Sequence, residues 1–525
     1  MSHVLAIDLG TGGPKVALVS LDGDIAGSEV ESTELVLGDG GKAEQDPADW
    51  WRAIDAAAIR LLERELVPRG DIDAVAVTSQ WSGTVAVDAQ GKPLMNAIIW
   101  MDSRGSAEIR KVTSGALKVQ GYDVRRLKTW IQRTGGIPSH SGKDPTAHIL
   151  WIKANLPDVY DATHTFLEPC DYLNLRLSGR TVSSHDAITL HWITDNRDRN
   201  HIVYDDELIA AFGLDRARLP ELVPSASVIG TVTAQVSGRW GLAPTTKVVT
   251  ATGDVHSASV GSGAITDYAG HLYIGTSSWL SCHVPWKKTD LLRNQAALPS
   301  ALPGRYFIVN EHETAGACLD HLIDEVLFAD DDLGTPKPDD AYARVEALAA
   351  GVPAGANGVV YTPWLNGERS PVDDHTIRAG WHHVSLANTR ADLVRATYEG
   401  VAFNSRWLLD AVEKFTKHRL DTLNFIGGGA LSTLWCQIHA DVLDRQINQM
   451  ADPRQANVRG AALIAAVALG HARVDELATD VPVARTFHPN PANKATYDAL
   501  FEQFTAIYKA DKPIHAKLDR IAHAP

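Results

Sequence analysis

The chain has 525 residues, 45% hydrophobic and 22% charged, with a formal net charge of −15. That length exceeds one ordinary core and calls for two domains, the acidic balance argues against broad binding to a nucleic-acid backbone, and no apolar run is long enough to span a bilayer. Cys170, Cys282, Cys318 and Cys436 lie too far apart for zinc or disulfide spacing, and the N-terminus lacks a basic segment followed by an apolar stretch, so a reducing cytoplasm is the expected location.

In chain order, VLAID (4–8) and KVALVSL (15–21) read as two strands joined through Gly10 to Pro14. The stretch 43–66 predicts a helix: Asp46 caps it, Pro47 fits its first turn, and Trp50, Ile54, Ala57, Leu61 and Leu62 recur at helical spacing. Strands and helices then alternate to about residue 245, the pattern of α/β layers. A second start follows at TKVVTATGD (246–254), with a helix of small residues and the paired strands of HLYIGTSSWLSCHV (271–284). Thr389 and Asp392 carry a capping-box pattern ahead of a long helix. LNFIGGGALSTLWCQIHADVL (423–443) reads strand, triple-glycine turn, helix. Residues 329–340 read as a solvated loop, and ATYDALFEQFTAIYKA (495–510) as a helix docked on the body.

Three glycine turns carry the chemistry. DLGTGGPK (8–15) has neither the G-x-G-x-x-G nor the G-x-x-x-x-G-K-[ST] spacing, which removes the dinucleotide and P-loop readings. Alone it is a hairpin turn, or a place where bare N–H groups and the Thr11 hydroxyl approach a phosphate. In the second, Asp254 follows Gly253 at a strand end; it is a helix cap or a base for a substrate hydroxyl. In the third, Gly427 to Gly429 make a tight connection or a bare shelf for a nucleotide. Taken together and in this order, they predict an α/β chain of two actin-like ATPase (ribonuclease H-like) domains flanking a central cleft.

At this point the sequence resembles the FGGY carbohydrate kinases, and the xylulokinases among them, from Val4 to about Gly470. The resemblance rests on AIDLGTGGPK, AEQDPADWW, AIIWMDSRG, GDVHSASVGSG, YIGTSSW, TPWLNGERSPVDD, LVRATYEGVAFNSRW and IGGGALSTLWCQIHADVLDRQI. It implies domains at 1–246 and 247–475 with a helical extension at 476–525. It implies Asp254 as catalytic base and Asp8, with Asp254, on the Mg²⁺ side, Asp8 acting through water. Thr11, Gly12 and Lys15 would face the transferred phosphate, Gly275 and Thr276 the opposite clamp, and Gly427, Gly428, Gly429 and Ala430 the adenosine of ATP. Gln80, Trp81, Asp102 and Arg104 fall on the sugar side.

The implied reaction is ATP-dependent phosphorylation of a ketopentose such as D-xylulose to its 5-phosphate, with ribulose, erythritol and gluconate as other acceptors. A small sugar is the expected partner and a homodimer the candidate assembly; nucleic acid and membrane are not expected. One departure bears on the acceptor: Trp81-Ser82 stands where xylulokinases carry Met-His. Either Trp81 packs in the wall while a neighbour such as His256 replaces the imidazole, or the pocket is reshaped. Glu311, His312 and Glu313 read as domain packing, and Glu368-Arg369 as an internal ion pair. An actin- or chaperone-type ATPase is disfavoured by the sugar-side motif at Trp100 to Arg104, and an inactive sugar-binding regulator by the presence of Asp254.

Overall fold

The computed structural model describes residues 2–477 and 481–522. Its first half is built on a seven-stranded sheet. Strands β1 (His3–Gly10) and β2 (Gly13–Ser20) pair antiparallel, closing on Gly10 and Gly13, so the loop is Thr11-Gly12 alone. This is tighter than the turn predicted from Gly10 to Pro14, and Gly13 makes it so: its φ is +133°, and a Cβ there would meet the Glu31 carbonyl oxygen at 2.2 Å. Beyond β2 lies β3 (Ile25–Val30). On the other side of β1, β4 (Ile72–Ser79) runs parallel to it. The sheet continues through β5 (Val228–Thr231) and β6 (Lys247–Val249), while β7 (Thr252–Gly253) pairs with the end of β4. Residues on both sides of position 246 therefore share this sheet.

Helix α1 (Pro47–Glu63) begins as expected: the Asp46 carboxylate accepts the Ala48 N–H at 2.8 Å, and Pro47 opens the first turn. Trp50, Ile54, Ala57, Leu61 and Leu62 are all buried and cover β1, β2 and β4 through Leu5, Ile7, Leu18 and Val75.

The second half repeats the plan. Strands β8 (Gly270–Ile274) and β9 (Ser278–Ser281) form a hairpin, and β10 (Thr422–Ile426) runs parallel to β8 as β4 does to β1. Strands β11 (Gln446–Met450) and β12 (Val483–Phe487) complete the five-stranded sheet. Helix α3 (Arg390–Thr416), with its Thr389–Asp392 capping box, and helix α4 (Thr433–Leu443) lie over this sheet. The final helix α6 (Lys494–Ala522) docks by Tyr497, Phe504 and Tyr508. No described helix is long and apolar enough to cross a membrane.

Two helices join the halves. Helix α2 (Asp254–Gly261) continues from the first sheet, and α5 (Ala456–Ala468) comes from the second half. Val458, Ala461, Ala462, Ala465 and Ala466 of α5 lie on the first sheet, against Val4, Ala6, Ala17, Val19, Ala74 and Ala76. The two helices cross backbone to backbone. A Cβ on Gly261 would sit 1.8 Å from the Ala456 carbonyl oxygen, and one on Gly460 1.8 Å from that of Ser257. The small residues of α2 read from the sequence are thus what this crossing requires.

Candidate functional site

Both joining helices bring a polar side chain to the ends of the sheets. Asp254 is the first residue of α2, delivered there by β7, and its Oδ1 accepts the Val255 N–H at 2.9 Å. Burial, the nearby Asp8 carboxylate and Glu311 push its pKa up to about 8. Asp8, near the end of β1, is itself raised by burial, against the pull of Lys15 and of a hydrogen bond from Asn457 of α5 to its Oδ1 at 3.3 Å. Two carboxylates thus face one space from two strand ends. Tyr273 of β8 borders the same space: its hydroxyl proton is held by burial and by both aspartates.

The loop after β1 is tied to the sugar-side residues by a continuous chain of hydrogen bonds. The Trp100 indole N–H donates to Thr11 Oγ1 at 3.0 Å, and Thr11 Oγ1 donates to Gln80 Oε1 at 3.3 Å. Gln80 Nε2 donates to Gln45 Oε1 at 2.8 Å, and Gln45 Nε2 returns to the Thr11 carbonyl at 2.9 Å. Trp50 closes the ring, donating to Gln45 Oε1 at 3.2 Å. Gly12 stays exposed at the tip. The Lys15 ammonium is drawn to the Arg454 carbonyl of the second half.

Opposite stand the other two glycine turns. Gly275, Thr276 and Ser277 link β8 to β9, with Thr276 exposed and its carbonyl accepting the Ala315 and Ala317 N–H groups at 2.9 and 3.2 Å. Gly427 has φ +89°, and a Cβ there would strike the Ile274 carbonyl oxygen at 2.4 Å, so the triple glycine lies directly on the strand that feeds Gly275. Gly429 is held against the Ile274 side chain, Ala430 is fully buried, and Gly428 is exposed with nothing within 4 Å of its would-be Cβ. Bare backbone is therefore presented at Gly12, Thr276 and Gly428.

The remaining sugar-side residues divide. Trp81 is 7% exposed and lies against Gly253, beside Asp254; a Cβ on Gly253 would meet its Cγ at 2.9 Å. Its indole N–H donates to the Ala187 carbonyl at 2.8 Å, and its ring meets His256 edge-on at 5.0 Å. His256 is fully buried behind that indole and Phe307, and neither ring nitrogen has a hydrogen-bond partner among the described residues. Ser82, at φ +67°, donates its hydroxyl to the Lys143 carbonyl at 2.9 Å. Asp102 and Arg104 are committed to one another. Asp102 accepts the Ala43 and Arg104 N–H groups at 2.9 Å each and pairs with the guanidinium at 2.6 Å. That guanidinium also reaches Glu44 at 2.7 Å and lies 4.0 Å over the Trp151 ring.

One expectation needs correction. Glu368 and Arg369 do not pair through their side chains. Glu368 is buried, takes the Glu313 and Arg369 backbone N–H groups at 3.0 and 2.9 Å, and is pushed up to about 8, mainly by burial. The Arg369 guanidinium instead pairs with Glu311 and, at 2.5 Å, with Glu313. Lys143 of the first half reaches Glu313 at 3.7 Å, so these acids sit where the halves meet. Asn457, Tyr273 and Gln45 were not singled out from the sequence. Gln45 lay inside the quoted AEQDPADWW motif, whereas Asn457 opens an alanine-rich helix whose apolar face dominates its pattern. Among the described residues no group of three or more His, Cys, Asp or Glu side chains forms a self-contained metal cage.

Known proteins share this fold. Residues 3–261 match the N-terminal domain of the FGGY family of carbohydrate kinases, and residues 270–469 its C-terminal domain. The chain is 28% identical over 523 residues to the xylulose kinase of Staphylococcus epidermidis, covering 98% of each. In structure it is similar to gluconate kinase from Lactobacillus acidophilus, with a TM-score of 0.85 at 22% identity and coverage of 98% and 99%. It is also similar to xylulose kinase from Rhodospirillum rubrum, with a TM-score of 0.81 at 27% identity and coverage of 98% and 100%. With both family domains matched in order across the cleft that holds Asp8 and Asp254, the chain belongs to the FGGY family of carbohydrate kinases.

Proposed function

We propose that the protein transfers the γ-phosphoryl group of ATP to a hydroxyl of a small neutral sugar, with a ketopentose such as D-xylulose as the first candidate and the 5-phosphate as product. The observation that carries this reading is the meeting of Asp254 and Asp8 between two glycine hairpins. Full-length similarity to xylulose kinases supports the acceptor.

In this reading Asp254 takes the proton of the attacking hydroxyl. Burial and Asp8 raise its proton affinity above that of an exposed carboxylate, the direction a general base needs. Placement at the first turn of a helix anchored on α5 fixes its aim, and orientation accounts for much of the barrier lowering in phosphoryl transfer. Thr11 and Gly12 on one side and Gly275 and Thr276 on the other offer N–H groups to the phosphates. Gly427 to Ala430 form the surface for adenosine. Lys15 stands at the end of the first hairpin as a fixed positive charge.

Two carboxylates on one space suit Mg²⁺, which takes one or two carboxylates together with phosphate and water oxygens. Asp8 and Asp254 are the residues that would hold it, and bound with ATP it supplies the positive charge that this acidic site lacks.

The acceptor end is bounded by Gln80, Trp81 and the Asp102–Arg104 pair. Trp81 and Ser82 favour a second acceptor class as the alternative, and similarity to a gluconokinase of Bacillus subtilis makes sugar acids the first to compare. The test is an ADP-release screen over ketopentoses, polyols, ketohexoses and sugar acids, with and without Mg²⁺. Turnover stimulated by a ketopentose and abolished by chelation is the expected result. If no sugar stimulates ADP release, the inactive regulator becomes the better reading.

A further inference from the structure

The ionic cluster where the two halves meet holds one donor that none of its carboxylates uses. Arg369 spends Nε on Glu313 and Nη1 on Glu311, while its Nη2 is buried with no hydrogen-bond partner among the described residues. A buried guanidinium N–H without an acceptor is costly, so its place calls for a function. The surroundings point to the acceptor site. The guanidinium lies 5.9 Å from the Trp100 ring centroid, and the same indole fixes Thr11. Glu311, its partner, bears on Asp254 and takes a hydrogen bond from Ser277 of the second hairpin. On the far side Lys143 reaches Glu313, and its carbonyl holds Ser82.

The cluster is also rigid. Glu368 clamps the backbone on both sides, taking the N–H groups of Glu313 and Arg369, and Asn404 fixes Glu368 at 2.5 Å. An arginine pinned through two of its nitrogens presents the third in a set direction.

We propose that Arg369 is a specificity residue for the acceptor, its Nη2 donating to a hydroxyl or carbonyl oxygen of the sugar at a position away from the reacting hydroxyl. Charge balance favours such an oxygen over a phosphate. Arg369 and Lys143 are already matched by Glu311 and Glu313, so little positive charge remains for an anion, whereas a neutral oxygen needs only a donor. The inference rests on the kinase reading of the cleft and extends it to a residue of the second half.

The experiment compares the full-length wild type with R369K, which keeps the charge facing Glu311 and Glu313 but lacks the forked third nitrogen. R369Q is the second variant. Three quantities are measured: KM for the best sugar of the screen, KM for ATP, and nucleotide-free sugar binding followed by tryptophan fluorescence below the melting temperature. The expected result is a rise of about tenfold in sugar KM and in sugar Kd, the loss of one charge-assisted hydrogen bond, with ATP KM and kcat within about twofold. Unchanged sugar KM and Kd would leave Arg369 as an ion-pair strut and overturn the proposal. A shift confined to ATP KM would also overturn it, in favour of a phosphate contact. If the wild type turns over no sugar, the kinase reading fails by itself. The binding arm then still decides: weakened sugar binding in R369K supports the assignment, and absence of sugar binding in the wild type refutes it.

Discussion

Glu168 shows how much of the site depends on residues that never face the cleft. Its Oε2 accepts the Gly83 N–H at 3.0 Å and so fixes the segment that carries Gln80, Trp81 and Ser82. Burial, with Asp171 nearby, raises its carboxyl well above the usual range. The sign follows from linkage. The folded pKa lies above the unfolded value, so its contribution to stability is complete below the unfolded value near 4 and is lost as pH rises through the folded one. E168Q should therefore fold normally and flatten the loss of melting temperature as pH rises above about 4. E168A leaves the Gly83 N–H unpaired and should cost about 1–3 kcal/mol in urea unfolding. A pH–stability curve unchanged in E168Q would contradict the raised carboxyl. At the same scale, the Trp81 indole is bonded to the Ala187 carbonyl and set against Gly253. His256 is sealed behind it and fully buried.

At the scale of elements, the crossing of α2 and α5 connects the fold to the chemistry. Asp254 starts one helix and Asn457, which bonds Asp8, starts the other. Gly261 and Gly460 allow the two backbones to touch, so the approach of the helix carrying Asp254 to the helix carrying Asn457 is set by the absence of two methyl groups. G460A should force the helices apart, lower stability by about 1–3 kcal/mol as overpacking does, and reduce kcat more than it raises KM for ATP. The control is G238A, a helical glycine with nothing within 4 Å of the added Cβ, which should be neutral or slightly stabilising. Equal effects of the two substitutions on melting temperature and kcat would contradict the role given to the crossing.

Elements with local signals were the ones legible in the sequence. Asp46 and Pro47 mark the start of α1, Thr389 and Asp392 the start of α3, and the small residues of 256–263 the crossing helix, because caps and packing constraints are written within a few positions. Asp8 and Asp254 were legible for the same reason, each followed by a glycine-rich or small-residue turn. What escaped depends on contacts across the chain. Asn457 meets Asp8 from 449 positions away, and Arg369 chooses Glu311 and Glu313 over its neighbour Glu368 only once the segments are folded together. Asp102 and Arg104 were legible as a motif, but their mutual pairing with Glu44 was not.

The whole molecule is two similar halves, each sending a hairpin to a shared cleft, with helices α2 and α5 fixing one half to the other. Such a frame suits a reaction that has to place a sugar hydroxyl in line with a phosphoryl group and keep water away. The central claim is that Asp254 is the base for that transfer. The direct test is D254N, which keeps size and backbone hydrogen bonding but removes the proton acceptor. It is assayed for sugar-dependent ADP release beside a measurement of ATP binding without Mg²⁺, because Asp254 would also stand on the Mg²⁺ side. The account predicts ATP affinity within about twofold of wild type and a turnover loss of about 10²-fold or more. Turnover in D254N equal to wild type would contradict it.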